Sequence, residues 1–256
     1  VNSGWVYWVT ISCGALITII ALAFAYDLEL LRILEIPKEQ ALPLVLGSGF
    51  VIIFLRIPAS SIGTRTDPPW YDIALAAVGM GMCLYFTYLY NDLIEEFYAH
   101  LDQAFAIGIV IIPLIIEGLR RTAGWSLVIV LSAFLAYSLV GHLVPGDLEG
   151  LEKKFYPLVA YLAVDNVALF GMAMQIVTYV VVLFIFMGQM LLKTGASEWF
   201  TDLASALLGR SRGGSAKIAV VASGLFGSIS GSAVSNVAST GVITIPLMQQ
   251  GGYDAK

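Results

Sequence analysis

Six apolar stretches, at residues 6–26, 41–57, 72–90, 103–119, 124–144 and 171–192, are almost free of charge. A helix needs about 20 such residues to cross about 30 Å of hydrocarbon, and each stretch is near that length. The chain therefore reads as an all-α integral membrane protein with about six transmembrane helices. Composition agrees: of 256 residues 59% are apolar and 12% charged, with a mean hydropathy of +0.86, where a soluble domain runs at about 25% charged. That excludes a water-soluble globule and a disordered chain. Thirteen Lys and Arg stand against 18 Asp and Glu, a net charge of -5 with no basic cluster, so no nucleic-acid partner is expected. Cys13 and Cys83 sit inside apolar runs, where a thiol behaves as a small hydrophobe and implies no disulfide framework. The first stretch is too long for a signal peptide and no Lys or Arg precedes it. Because the chain opens on Val1 and not Met, it reads as a sequence cut at its front.

Orientation follows from the cations. With the N-terminus in the cytoplasm, the inner connections carry Arg56, Arg65, Arg120, Arg121, Lys193, Arg210, Arg212 and Lys217. The outer ones carry Arg32, Lys38, Lys153 and Lys154, together with the acidic segment from Asn91 to Asp102. Eight against four predicts a multi-pass protein with a cytoplasmic N-terminus.

A composition break near residue 100 divides the chain into two modules, 1–103 and 104–256. The second opens with a helical hairpin turned by Glu117–Gly124, and Pro113 inside the fourth stretch is expected to kink it, since it removes a helix hydrogen bond. Two segments are candidates to lie along the bilayer surface. In Glu198–Leu208 the residues Trp199, Phe200, Leu203 and Leu207 recur at helical spacing while Asp202 points away. Phe155–Leu169 is a weaker case, interrupted by Asp165 and Asn166. Packing on the protein's own flank is the alternative for both.

The most informative stretch is Ala216–Met248. It is too long for one crossing and too short for two with a turn, and its middle reads Gly227-Ser-Ile-Ser-Gly-Ser232. A re-entrant hairpin fits, with half-helices near 217–229 and 233–247 meeting at a polar tip. Unpaired backbone at membrane depth is tolerated only where it lines a cavity or binds something. A broken helix offers carbonyls at the end of its first half and N–H groups at the start of its second. Ser230, Ser232 and Asn236 add uncharged side-chain oxygens, an all-oxygen set that suits Na⁺ and offers nothing for thiolate or imidazole metal chemistry. Gly227 and Gly231 allow the chain to turn. The bland alternative is that Gly227-xxx-Gly231 and Gly224-xxx-Ser228 only pack helices closely.

These residues also carry a resemblance. Arg210-Ser-Arg-Gly-Gly-Ser-Ala-Lys217, Gly227-Ser-Ile-Ser-Gly-Ser-Ala-Val-Ser-Asn236, Thr240-Gly-Val-Ile-Thr-Ile-Pro-Leu-Met248 and Gly252-Tyr253 resemble the first hairpin of the large permease of TRAP (tripartite ATP-independent periplasmic) transporters. Upstream, Glu117-Gly-Leu-Arg-Arg-Thr-Ala-Gly-Trp125 and Tyr137 to Gly146 resemble the fused permeases of the TAXI branch. The resemblance covers about residues 110–256, and 1–100 match in general layout only. It implies an elevator-type importer in a bacterial or archaeal cytoplasmic (inner) membrane. Such a permease takes a small organic acid from a periplasmic substrate-binding protein and is driven by Na⁺ or H⁺, with no cofactor beyond the coupling ion. Residues 1–103 would be the small-subunit-like scaffold, and 104–256 the start of the large permease. Family permeases carry a second, inverted hairpin, so the chain is expected to be an N-terminal fragment. Carried over, Ser230, Gly231, Ser232 and Asn236 match the cation and substrate tip, with Gly227 and Thr240 as weaker candidates.

Other residues admit plainer readings. Glu117 could relay protons or pair with Arg120 and Arg121. His100 and His142 lack metal-ligand spacing, and Trp5, Trp8, Trp70, Trp125 and Trp199 fall where an aromatic belt would place them. Two other function classes stand beside the importer. One is a membrane-embedded hydrolase with Ser230 or Ser232 as nucleophile, which would need a nearby base; the other is a non-transporting scaffold.

Overall fold

The structure, a computed structural model, describes residues 4–26, 37–59, 67–144, 149–211, 213–230 and 233–253. Its elements in chain order are α1 (Gly4–Ala25), α2 (Leu42–Arg56), α3 (Trp70–Glu95), α4 (Leu101–Ala123), α5 (Trp125–Val140), α6 (Phe155–Val164), α7 (Met172–Ile176), α8 (Val182–Lys193), α9 (Ala196–Leu208), α10 (Gly214–Ser230) and α11 (Ala233–Gln250). Short 3₁₀ turns precede α2 and follow α5, and a π-helical turn, Val177–Val181, joins α7 to α8. Among the described residues there is no strand. Among the described residues six segments are long and apolar enough to cross a membrane: Gly4–Ala25, Glu39–Arg56, Trp70–Glu95, Leu101–Ala123, Trp125–Leu143 and Met172–Leu191. They coincide with the six stretches read from sequence.

The ends differ in instructive ways. α3 runs five residues past Tyr90 because Leu93 is fully buried and extends its packed face, so Asn91 to Glu95 are helix and not connection. α4 likewise continues through Arg120 and Arg121 to Ala123. The expected turn of eight residues shrinks to Gly124, which caps both α4 and α5 with a φ of +80°, a conformation open to Gly without steric cost. Pro113 lies inside α4 as expected, and Pro246 inside α11.

The chain divides into two compact units, Val1–Tyr179 and Val180–Lys256. The core of the first gathers Phe50 and Phe54 of α2, Phe86 and Leu93 of α3, Ile107 and Ile111 of α4, and Phe170. Phe86 and Phe170 meet with ring centroids 5.1 Å apart. α1 is tied to α2 by the Arg56 guanidinium, whose Nε and Nη2 donate to Thr10 Oγ1 at 3.1 and 2.7 Å. Cys13 and Cys83 are buried free thiols.

α6 lies against α4, not along a surface: Val159, Ala160, Ala163 and Val164 are buried. It stops at Asp165, whose carboxylate accepts from Val167 N–H at 2.8 Å and offers the backbone a turn in place of further helix. α4 and α6 cross so closely at Gly108 that a Cβ there would stand 2.6 Å from the Val159 carbonyl oxygen. By contrast α5 buries Val128 and turns Trp125, Ile129 and Phe134 outward, the pattern of a lipid-facing helix.

In the second unit α9 packs its Ala204 and Thr201 side inward, and Ala204 forms a small core with Ile218 and Ala222 of α10. Trp199, Leu203 and Leu207 stay exposed on its other side. The packing reading of this helix is thus realised on its inward face.

Candidate functional site

The hairpin read from Ala216–Met248 is present as α10 and α11, packed against each other and joined through Gly231 and Ser232. Those two residues lie outside the described set. Ser230 is the last residue of α10, and Asn236 is the fourth of α11; of both only the backbone is described. Gly227 sits in the last turn of α10 before the break. A helix leaves its last four carbonyls and its first four N–H groups without partners inside the helix. The C-terminal end of α10 and the N-terminal end of α11 carry such sets, the first the negative and the second the positive end of a helix dipole.

Thr240 lies deeper, on the face of α11 that looks toward α10, and is 3% exposed. One turn on, Thr244 is 7% exposed and its Oγ1 donates to the Thr240 carbonyl at 2.9 Å. With Ser223 and Ala219 of α10 they line a cleft of about 480 Å³ between the arms. The cleft is chiefly apolar with a few hydroxyls, and among the described residues no charged side chain lines it. Gly224 is exposed, with no atom near the place a Cβ would take, and the Ser228 hydroxyl is spent on the Leu225 carbonyl at 2.7 Å. Among the described residues Gly224 and Ser228 are both exposed.

A second polar constellation lies in the first unit, and sequence reasoning found only half of it. Glu117 accepts from Arg120 Nε at 2.8 Å and from Arg121 Nε at 2.7 Å, so it is an ion partner. What sequence spacing missed is Asp72: its Oδ1 lies 2.7 Å from Arg121 Nη2, and the two side chains are 0% and 2% exposed. Arg121 also donates to the Ile57 carbonyl at 3.2 Å and lies over the Phe54 ring, while Arg120 reaches the Ala59 carbonyl at 3.1 Å. The signal available was one acid in the first turn of a strongly apolar helix, since an intramembrane charge requires a partner. His100 and His142 stand at helix ends, His100 before α4 and His142 after α5.

The fold is that of a multi-pass helical membrane protein, with six segments among the described residues long and apolar enough to span a bilayer. The chain belongs to the family described as Tripartite ATP-independent periplasmic transporter, DctM component, which matches residues 109–256, more than half of it. Over 70 residues it is 40% identical to "Uncharacterized protein YgiK" of Salmonella typhimurium, a stretch covering 27% of this chain and 16% of that protein. Over 71 residues it is 34% identical to a "Putative TRAP transporter large permease protein" of Haemophilus influenzae, covering 28% of this chain and 18% of that one. A further Haemophilus influenzae protein of the same description is 34% identical over 70 residues, or 27% of this chain and 16% of that one. The chain spans about a sixth of the length of the curated relatives it matches. No solved structure matches it.

Proposed function

We propose that this chain is part of the membrane permease of a cation-driven secondary importer that accepts a small organic acid from a periplasmic substrate-binding protein. The observation that carries the reading is the packing of α10 against α11 as a hairpin, inside the region matched to the transporter family. At its tip Ser230, Gly231, Ser232 and Asn236 would supply oxygen ligands to Na⁺, and the start of α11 would face the substrate carboxylate. Gly227 and Thr240 would shape the approach. The hairpin would enter the bilayer without crossing it and move as an elevator. The likeness of the upstream residues to fused permeases supports a TAXI-type reading, in which 1–103 would be the small-subunit-like scaffold and 104–256 the opening of the large permease. The cation bias favours a cytoplasmic N-terminus in a bacterial or archaeal inner membrane.

Thermal unfolding of the purified full-length permease in NaCl against KCl at equal ionic strength tests this without knowledge of the substrate. A ligand at a hundred times its Kd adds about 2.7 kcal/mol to the folded state. A midpoint raised by Na⁺ and not by K⁺, and lost in Ser232→Ala with Asn236→Ala, supports a Na⁺ site at the tip. No Na⁺ effect, together with uptake that follows an imposed pH gradient, assigns the coupling to H⁺. Uptake indifferent to both gradients overturns the reading.

A further inference from the structure

We propose that the groove enclosed by α4, α5 and α6 is a lipid site: it takes one acyl chain of a membrane phospholipid, whose phosphate is held at Lys153 and Lys154. Two adjoining cavities, of about 190 and 170 Å³, form the groove and share Ile112, Leu135 and Leu162. The upper one begins at Gly108 and Phe155, and the lower one ends at Ile116 and Leu169. Together they follow α4 from Gly108 to Ile116, about 12 Å of helix.

The chemistry of the walls selects the occupant. Among the described residues no charged side chain lines either cavity, and the one polar side chain, Ser138, already donates to the Leu135 carbonyl at 2.7 Å. A water needs two to four polar partners, and an apolar cavity of about 150 Å³ stays dry and binds hydrocarbon. The groove runs along two of the membrane-spanning segments, so the hydrocarbon at hand is an acyl chain. Its shape is built in. The close crossing at Gly108 draws α6 onto α4 at one end, Pro113 lies in the wall and contributes no N–H to its helix, and α6 ends after ten residues.

The mouth supplies the polar half. Phe155 lines the groove, and Lys153 and Lys154 immediately precede it, both exposed. Among the described residues neither lysine is in an ion pair, although Glu149 and Glu152 are exposed nearby. Two exposed lysines directly before a residue that lines the apolar slot would suit a phosphate joined to an acyl chain.

The test is photolabelling of the full-length protein in nanodiscs of phosphatidylethanolamine and phosphatidylglycerol, doped with phosphatidylglycerol bearing a mid-chain diazirine, with adducts located by mass spectrometry. Adducts on residues 108–116, 131–139 and 158–169 should exceed those on the exposed face of α1 about tenfold, a preference of about 1.4 kcal/mol. Leu135→Trp, which fills the groove, should bring them down to that background. Lys153→Glu with Lys154→Glu should lower labelling by the phospholipid but not by a diazirine fatty acid. Background labelling of the unsubstituted protein overturns the site whatever the variants do, and means that protein covers the groove. Unchanged phospholipid labelling in the lysine variant overturns the headgroup assignment.

Discussion

Arg121 Nη2 lies 2.7 Å from Asp72 Oδ1, and the two side chains are 2% and 0% exposed. The pair joins the first turn of α3 to the last turn of α4 across 49 positions of sequence, and Glu117 closes the network from within α4 at 2.7 Å. A charge buried in a spanning segment is tolerated when another charge and backbone carbonyls surround it, as they surround Arg121.

Removing one partner should therefore cost far more than removing both. Asp72→Ala leaves a buried guanidinium with one carboxylate fewer, and the expected loss is about 3–5 kcal/mol. Asp72→Ala with Arg121→Leu should recover part of it. Unfolding midpoints in a mild detergent titrated with SDS, read as a double-mutant cycle, check this; additive losses would show that the pair is not coupled.

Gly108→Ala should destabilise by about 1–3 kcal/mol through overpacking, because the added methyl would stand 2.6 Å from a backbone oxygen that cannot rotate away. The readout is the thermal midpoint. A neutral result would mean that α4 and α6 do not cross as closely as described.

At the hairpin, Ser232→Ala and Asn236→Ala should each raise the Na⁺ concentration for half-maximal uptake about 5- to 150-fold, equivalent to about 1–3 kcal/mol. Ser228→Ala, whose hydroxyl serves its own helix, should leave that value unchanged. Equal behaviour of all three would move the cation site away from the tip.

For topology, single cysteines at Lys193 and Lys153 should react with a membrane-impermeant maleimide from opposite sides, Lys193→Cys from the cytoplasm and Lys153→Cys from the periplasm. Cys13 and Cys83 are buried and should keep the background low. The reverse pattern would invert the orientation.

The six spans were legible because apolar length is a property of the chain read one residue at a time. The hairpin of α10 and α11 was legible for a related reason: Gly and Ser in mid-run mark a place where a helix cannot continue cheaply. Pairings across the fold were not. Nothing near Asp72 announces Arg121, and the extension of α3 past Tyr90 follows from Leu93 meeting a core that only the assembled helices create. The π turn at Val177–Val181 lies in an unbroken apolar run, where residue type gives no hint of an extra residue per turn. The burial of Thr240 beside the cleft was likewise not legible from its position in the sequence.

Gly124 ends one helix and begins the next, which freezes the length of the chain at this point over evolutionary time. One residue gained or lost there would rotate α5 by about 100° about its axis, turning Ile129 and Phe134 away from lipid and emptying or blocking the groove that Leu135 walls. Substitutions can accumulate around this corner; insertions and deletions should be purged from it and collect instead in the longer connection between α5 and α6.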